Sequence, residues 1–279
     1  LQFDHPMDNK GLFVVGNSQV SRAMVVSGGH SGLQISDNEI YGLRQPAYVT
    51  GTTTGTVSNN HVYRTKGWVL DGGNLTLTGN TWGSGPDANA YDIAILASVP
   101  SIYYTDILAL AAANNSAVIE DQRVSPPVLS VVHVDASAAP PGEGSPLAPY
   151  PNIGLALTRV VAGGRIEVAD GTYVQSATLH ATRSLSLIGP SEAGVIIDCS
   201  GFGGYGIHAD GDLTTAFRNF TLIGPSAPAY GYGLHVTGDG SYTTVENLTV
   251  LHSGRSGISL HGVDGASVVN LTATGNGGV

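Results

Sequence analysis

The sequence predicts an all-β fold: a right-handed parallel β-helix (solenoid) in two blocks with short capping helices. Three observations predict it. Asn recurs after short apolar alternations, in FVVGN (Asn17), LQISDN (Asn38), TVSNN (Asn60) and LTLTGN (Asn80), with steps of 21, 22 and 20 residues. A fixed period near 20, with two or three short strands in each, is the mark of coils that stack on one another. Further along, two markers recur together. One is a Gly-led strand (GIHA at Gly206, GLHV at Gly233, GISL at Gly257), and the other an Asn-led strand (NFTL at Asn219, NLTV at Asn247, NLTA at Asn270). Finally, 39 of 279 residues are Gly and only 11% are charged, which suits short strands and tight turns and is too apolar for disorder.

Residues 1–97 read as the C-terminal coils of one β-helix. Asn suits the repeated turn because it tolerates the left-handed backbone conformation and because stacked amides can hydrogen-bond from coil to coil. The period then breaks. Tyr91–Leu96 reads as strand, Thr105 or Asp106 is placed to cap a helix over Ile107–Ala113, and Asn114-Asn115 ends it. An open coil end exposes unpaired backbone and apolar side chains, so 98–123 is expected to close the first block. VSPPV (124–128) reads as a linker, which makes 98–130 a closing cap and linker.

Residues 131–279 read as an N-terminal cap followed by first coils. A strand (Val131–Val134) leads into a loop rich in Pro, Gly and Ser. Ile153, Leu155, Ala156, Leu157, Val160 and Val161 then fall at helical spacing, predicting a helix over 152–162 stopped by Gly163-Gly164. A strand at Ile166–Val168 ends in the turn Asp170-Gly171. In the coils that follow, alternation puts Ile207, Leu234 and Ile258, and likewise Phe220, Leu248 and Leu271, in interior rows. Thr243 is expected in a turn. Asn219, Asn247 and Asn270 each head an N-x-T sequon, but their place in the repeat makes them stacking positions first.

The run from Ser145 to Leu157 follows S-P-x-x-P-Y-x-x-I-x-x-A-L, and Gly164 to Tyr173 follows G-x-I-x-V-x-x-G-x-Y. This stretch resembles the N-terminal cap of right-handed parallel β-helix proteins of the pectin-lyase-like superfamily. The resemblance covers about 40 residues and speaks for fold more than for activity.

The net charge is −10, and the lysines are Lys10 and Lys66, so there is no basic stripe for a nucleic-acid partner. No apolar run reaches membrane-spanning length, and LQFDHP does not read as a signal peptide. The single cysteine, Cys199, excludes an internal disulfide and is expected to be a buried thiol. Acidic turns at Asp210, Asp212, Asp239 and Asp264 follow the Gly-led strands, and stacking could bring them together as a calcium site. His208 and His235 hold equivalent positions, with His261 read as one place off, and a surface row is expected.

The superfamily resemblance implies polysaccharide lyases and glycoside hydrolases as an alternative. Lys10, Lys66, Arg218 and Arg255 are then the candidate bases, and Trp68 and Trp82 the candidate sugar platforms. No paired-carboxylate string of a hydrolase occurs, so no catalytic residue is assigned. The expectation is instead a non-enzymatic structural or adhesive protein, extracellular or at the cell surface. It has no cofactor beyond calcium and no membrane insertion, with polysaccharide as the alternative partner. Writing Leu1 after Val279 makes the step from Asn276 to Asn17 equal to 3 + 17, or 20 residues, inside the first block's period. Leu1, Phe3, Leu12, Val14, Asn17, Val269, Leu271, Asn276 and Val279 are therefore expected to form a head-to-tail interface between copies. A covalent join within a longer repetitive chain and a permuted monomer fit the same arithmetic.

Overall fold

A computed structural model of the chain describes residues 22–227 and 230–277. The coil expected at Asn17, with Leu1, Phe3, Lys10, Leu12 and Val14, and the terminal Val279 lie outside the described residues. The chain forms two compact units. One runs to Ser130 and includes Ser145–Leu147; the other comprises Val131–Gly144 and the chain from Ala148.

The first unit is a parallel β-helix in which three coils each carry three short strands. Arg22–Val26, Gln45–Thr50, Trp68–Asp71 and Ile93–Ile95 stack in parallel on one face, and Ile119–Asp121 adds to Ile93–Ile95. Leu33–Ser36, Thr54–Ser58 and Asn74–Thr78 form the second face; Glu39–Tyr41, His61–Tyr63 and Thr81–Trp82 form the third. Alternation sends Ile35, Val57, Leu75 and Leu77 inward, where they join Ile40, Val62, Ile93 and Ile119 in one core.

The corner between the second and third faces holds the recurring asparagines. Asn38 Nδ2 donates to Asn60 Oδ1 (2.9 Å), Asn60 Nδ2 to Asn80 Oδ1 (2.9 Å), and Asn80 Nδ2 to Asn114 Oδ1 (2.7 Å). Two of these amides also reach into the coil before them: Asn60 Nδ2 donates to Ile35 O, and Asn80 Nδ2 to Val57 O. The left-handed conformation expected of these asparagines belongs to the residue before each of them, Asp37 (φ 58°), Asn59 (φ 56°) and Gly79 (φ 67°). That residue turns the chain, and the Asn is freed to satisfy buried backbone groups.

Helix α1 (Ile107–Ala113) follows in the segment expected to close the coils. Asp106 caps it, its carboxylate accepting from Ala109 N at 2.8 Å. The segment satisfies the open edge of Asn74–Thr78: Leu75 N donates to Tyr104 Oη (2.7 Å), and Gly79 N to Ala113 O (2.7 Å). Asn114 does more than end the helix, since it is the fourth rung of the amide ladder. Beyond it, Ile119–Asp121 meets Val128 and Leu129 of strand Val128–Val134 in antiparallel pairing, so Val128 belongs to a strand and not to a linker.

In the second unit, helix α2 (Ile153–Arg159) is capped by Asn152, whose Oδ1 accepts from Leu155 N at 2.8 Å. It ends before Gly163-Gly164. Val160 and Val161 already belong to the strand Val160–Val168, because these β-branched residues turn into the core in extended conformation. The coils built on that strand have longer, merged strands. Tyr232–Leu251 bends round all three faces, and so does Ser256–Thr274. In register, Ile207 pairs Leu234 and then Ile258, and Phe220 pairs Leu248 and then Leu271. The Gly-led strands are explained by crowding: a Cβ on Gly233 would meet Gly257 O at 2.5 Å. Thr243 is not in a turn. It is buried in the second face, its hydroxyl 2.8 Å from that of Thr215.

Here the asparagines themselves turn the chain, with φ of 61° at Asn219, 52° at Asn247 and 52° at Asn270. Their ladder runs the other way. Asn270 Nδ2 donates to Asn247 Oδ1 (2.9 Å), Asn247 Nδ2 to Asn219 Oδ1 (2.8 Å), and Asn219 Nδ2 to Gly189 O (3.0 Å). Cys199 is fully buried, and burial pushes its thiol up to about 12, which keeps it unreactive.

Candidate functional site: an outward histidine and tyrosine stripe

Side chains that alternate out of the Gly-led strands form columns on the first face of the second unit. Parallel register sets His180 beside His208 and His208 beside His235, with Ser259 next in the column. The imidazoles of His180 and His208 stack at 5.1 Å and 7°, and those of His208 and His235 at 5.2 Å. Tyr205 and Tyr232 form a second column. Tyr205 lies parallel to His235 at 4.6 Å, Tyr232 lies 5.0 Å from it, and the Arg255 guanidinium sits 5.2 Å from the Tyr232 ring. A third column contains Asp210, Thr237 and His261. His261 is thus two positions along from the histidine column and on the same face.

Partial burial pulls His208 below the ordinary imidazole range; Asp210 opposes this and His180 adds to it. His235 is lowered by burial first, then by His208 and His261. Neutral rings at near-neutral pH are therefore favoured, which suits stacking and leaves nitrogen lone pairs available.

Of the four carboxylates expected to hold calcium, only Asp210 falls in a ligating group. His180, His208 and Asp210 each offer a ligand atom within 4.8 Å of the others, and among the described residues no other set of three His, Cys, Asp or Glu does so. Asp212, Asp239 and Asp264 are exposed on successive turns without meeting at a common point. The candidate lyase bases are likewise dispersed: Arg218 pairs with Glu246 at 3.2 Å, and Lys66 is an exposed residue of the first unit.

Trp68 is no sugar platform, being wholly buried, and Trp82 Nε1 donates to Asn114 O at 2.7 Å. Outward aromatic contact comes from tyrosines instead, Tyr205 tilted against Tyr232 (5.6 Å, 33°) here and Tyr41 stacked over Tyr63 (4.6 Å, 8°) in the first unit. The signal for His180 was present as an apolar-His-Ala triplet, LHA, matching IHA at His208. It lacks the leading Gly that marked the later coils.

The last described coil forms a second candidate surface. Ser256–Thr274 pairs with Tyr232–Leu251, and no further strand pairs with it among the described residues. Its inward rows are open. Leu271 is 36% exposed where its partner Leu248 is 0%, and Val268 is 45% exposed where Val245 is 0%. Val269 instead continues the outward row of Arg218 and Glu246. Asn276 is held as the first unit's asparagines are: Ser253 N donates to its Oδ1 (2.9 Å), and its Nδ2 donates to Val250 O (2.9 Å). The preceding Gly275 (φ 65°) turns the chain as Gly79 does. Among the described residues, no helix is long and apolar enough to cross a membrane. No protein-family model, no curated protein and no solved structure matches the chain.

Proposed function

We propose that this chain is a non-enzymatic structural β-solenoid, extracellular or at the cell surface. Its last coil stacks in register on the N-terminal coils of another copy, and repeated contacts of that kind build a filament. The observation that carries this reading is Asn276. In Asn38 and Asn60, the backbone N–H and Nδ2 converge on the Oδ1 of the next rung. Asn276 repeats the backward half of that arrangement in another part of the chain. Its forward donors have no next rung among the described residues. A ladder that accepts an asparagine coil on its open side, beside the open apolar row of Val268 and Leu271, favours a partner built of the same coils. A contact that does not close on itself propagates, which is why a filament follows.

The test is sedimentation and electron microscopy of the 279-residue chain. Oligomers or fibres are expected, and Leu271→Asp or Asn276→Ala should release monomers with an unchanged circular dichroism spectrum. A monomeric parent chain at all concentrations overturns the reading.

A second reading, a polysaccharide-active β-helix, draws on the outward tyrosines and Arg255, which suit stacking on sugar rings. Incubation with pectin, alginate and related uronans separates the two. Release of reducing or unsaturated ends, lost in Tyr232→Ala, would favour the enzyme.

A further inference from the structure

We propose that His180, His208 and Asp210 form a binding site for a borderline divalent transition metal of the Zn²⁺ class, on the outer face of the second unit and independent of any assembly. The three side chains come from adjacent coils, and parallel register brings them together: His180 pairs directly with His208, and Asp210 follows His208 by two residues on the same face. His180 Nε2 lies 2.6 Å from Asp210 Oδ1, so the carboxylate already engages one ring nitrogen. All three ligand atoms lie within 4.8 Å of one another. Ligands held about 2.0–2.2 Å from one ion stand no more than about 4.4 Å apart. In a tetrahedral arrangement they stand about 3.3–3.6 Å apart, so His180 and Asp210, each close to half exposed, exchange their direct hydrogen bond for the ion as their side chains rotate.

The donor set decides the metal. Calcium and magnesium take oxygen ligands in numbers that one carboxylate cannot supply, whereas two imidazoles and a carboxylate suit zinc, cobalt, nickel or copper. Three protein ligands also leave coordination positions open to solvent or to a ligand. The loop from His180 to His208 makes the ion a clip between consecutive coils, so binding should raise the stability of the coils it joins.

The experiment is titration of the 279-residue chain with ZnCl2 by calorimetry, and with CoCl2 by visible absorption, in a buffer that does not chelate. One metal per chain is expected, with cobalt d–d bands and a raised thermal midpoint. His208→Ala and the conservative Asp210→Asn should each weaken binding at least tenfold and abolish the bands. His61→Ala, an exposed histidine of the first unit bonded to Thr81, should leave both unchanged. Circular dichroism checks that the variants fold. Zn²⁺ binding equal in His208→Ala and parent, binding lost equally in His61→Ala, or no binding to the parent would each overturn the site. So would a preference for CaCl2 over ZnCl2.

Discussion

The two units each carry an asparagine ladder, and the two ladders work by different physics. In the first, Asn60 and Asn80 are wholly buried and never adopt the left-handed conformation, which Asn59 and Gly79 take for them. Those side chains are there to complete backbone hydrogen bonding inside a tight corner. In the second, Asn219, Asn247 and Asn270 make the corner themselves at positive φ and are only partly buried or exposed. Donation runs from earlier coil to later in the first ladder, and from later to earlier in the second. One residue type at one kind of period thus solves two problems, polar satisfaction in one case and backbone strain in the other.

The largest effect expected is in the interior rows that both ladders frame. Leu248→Asp should cost about 4 kcal/mol or more in urea unfolding, because the new carboxylate has no partner in the core. Thr243→Asp should also be costly, since Thr243 is as deep as the Thr215 it stacks on; a neutral result there would break the inward assignment of that face.

Next comes the ladder of the first unit. Asn60→Ala strands Asn38 N and removes the side-chain donor to Ile35 O in a buried corner, while Asn80 Oδ1 keeps the backbone N–H of residue 60, and should cost about 2–4 kcal/mol. Asn60→Gly should be as harmful, because no positive φ is there to relieve. Asn247→Ala should cost less, about 1–2 kcal/mol for the left-handed conformation. Asn247→Gly should recover most of that. Recovery by glycine at both sites, or at neither, would end the distinction between the ladders.

The smallest net effect is that of pH, because the units respond in opposite senses. Burial pushes Asp92 up to about 6, against two hydrogen bonds that lower it. A raised carboxylate contributes stability that is present below its unfolded value near 3.8 and is lost as pH rises through about 6. His208 and His235 are lowered, so their contribution is present above about 6.5 and is lost as pH falls. Between pH 4 and 7, amide exchange corrected for its intrinsic rate should show strand Ile93–Ile95 weakening and strand Tyr232–Leu251 firming as pH rises. Shifts of the same sign in both would contradict this.

What the sequence by itself determined is everything that repeats at short range. Alternation placed Ile207, Leu234, Phe220 and Leu248 inward. Regular Asn steps predicted coils, and Asp106 stood where the first helix is capped; Asn152, read as the start of the second helix, is its cap. These signals are legible because strand and cap chemistry act within a few residues. What only the tertiary structure decided is register between coils separated by excursions of unequal length. Asn114 becomes a ladder rung across 34 residues, His180 joins His208, Thr243 lines up with buried Thr215, and Val268 rather than Val269 faces inward. Loop length is nearly free in energy, so spacing cannot encode those pairings. They are settled by which backbone ladder closes with its polar groups satisfied and its apolar row covered.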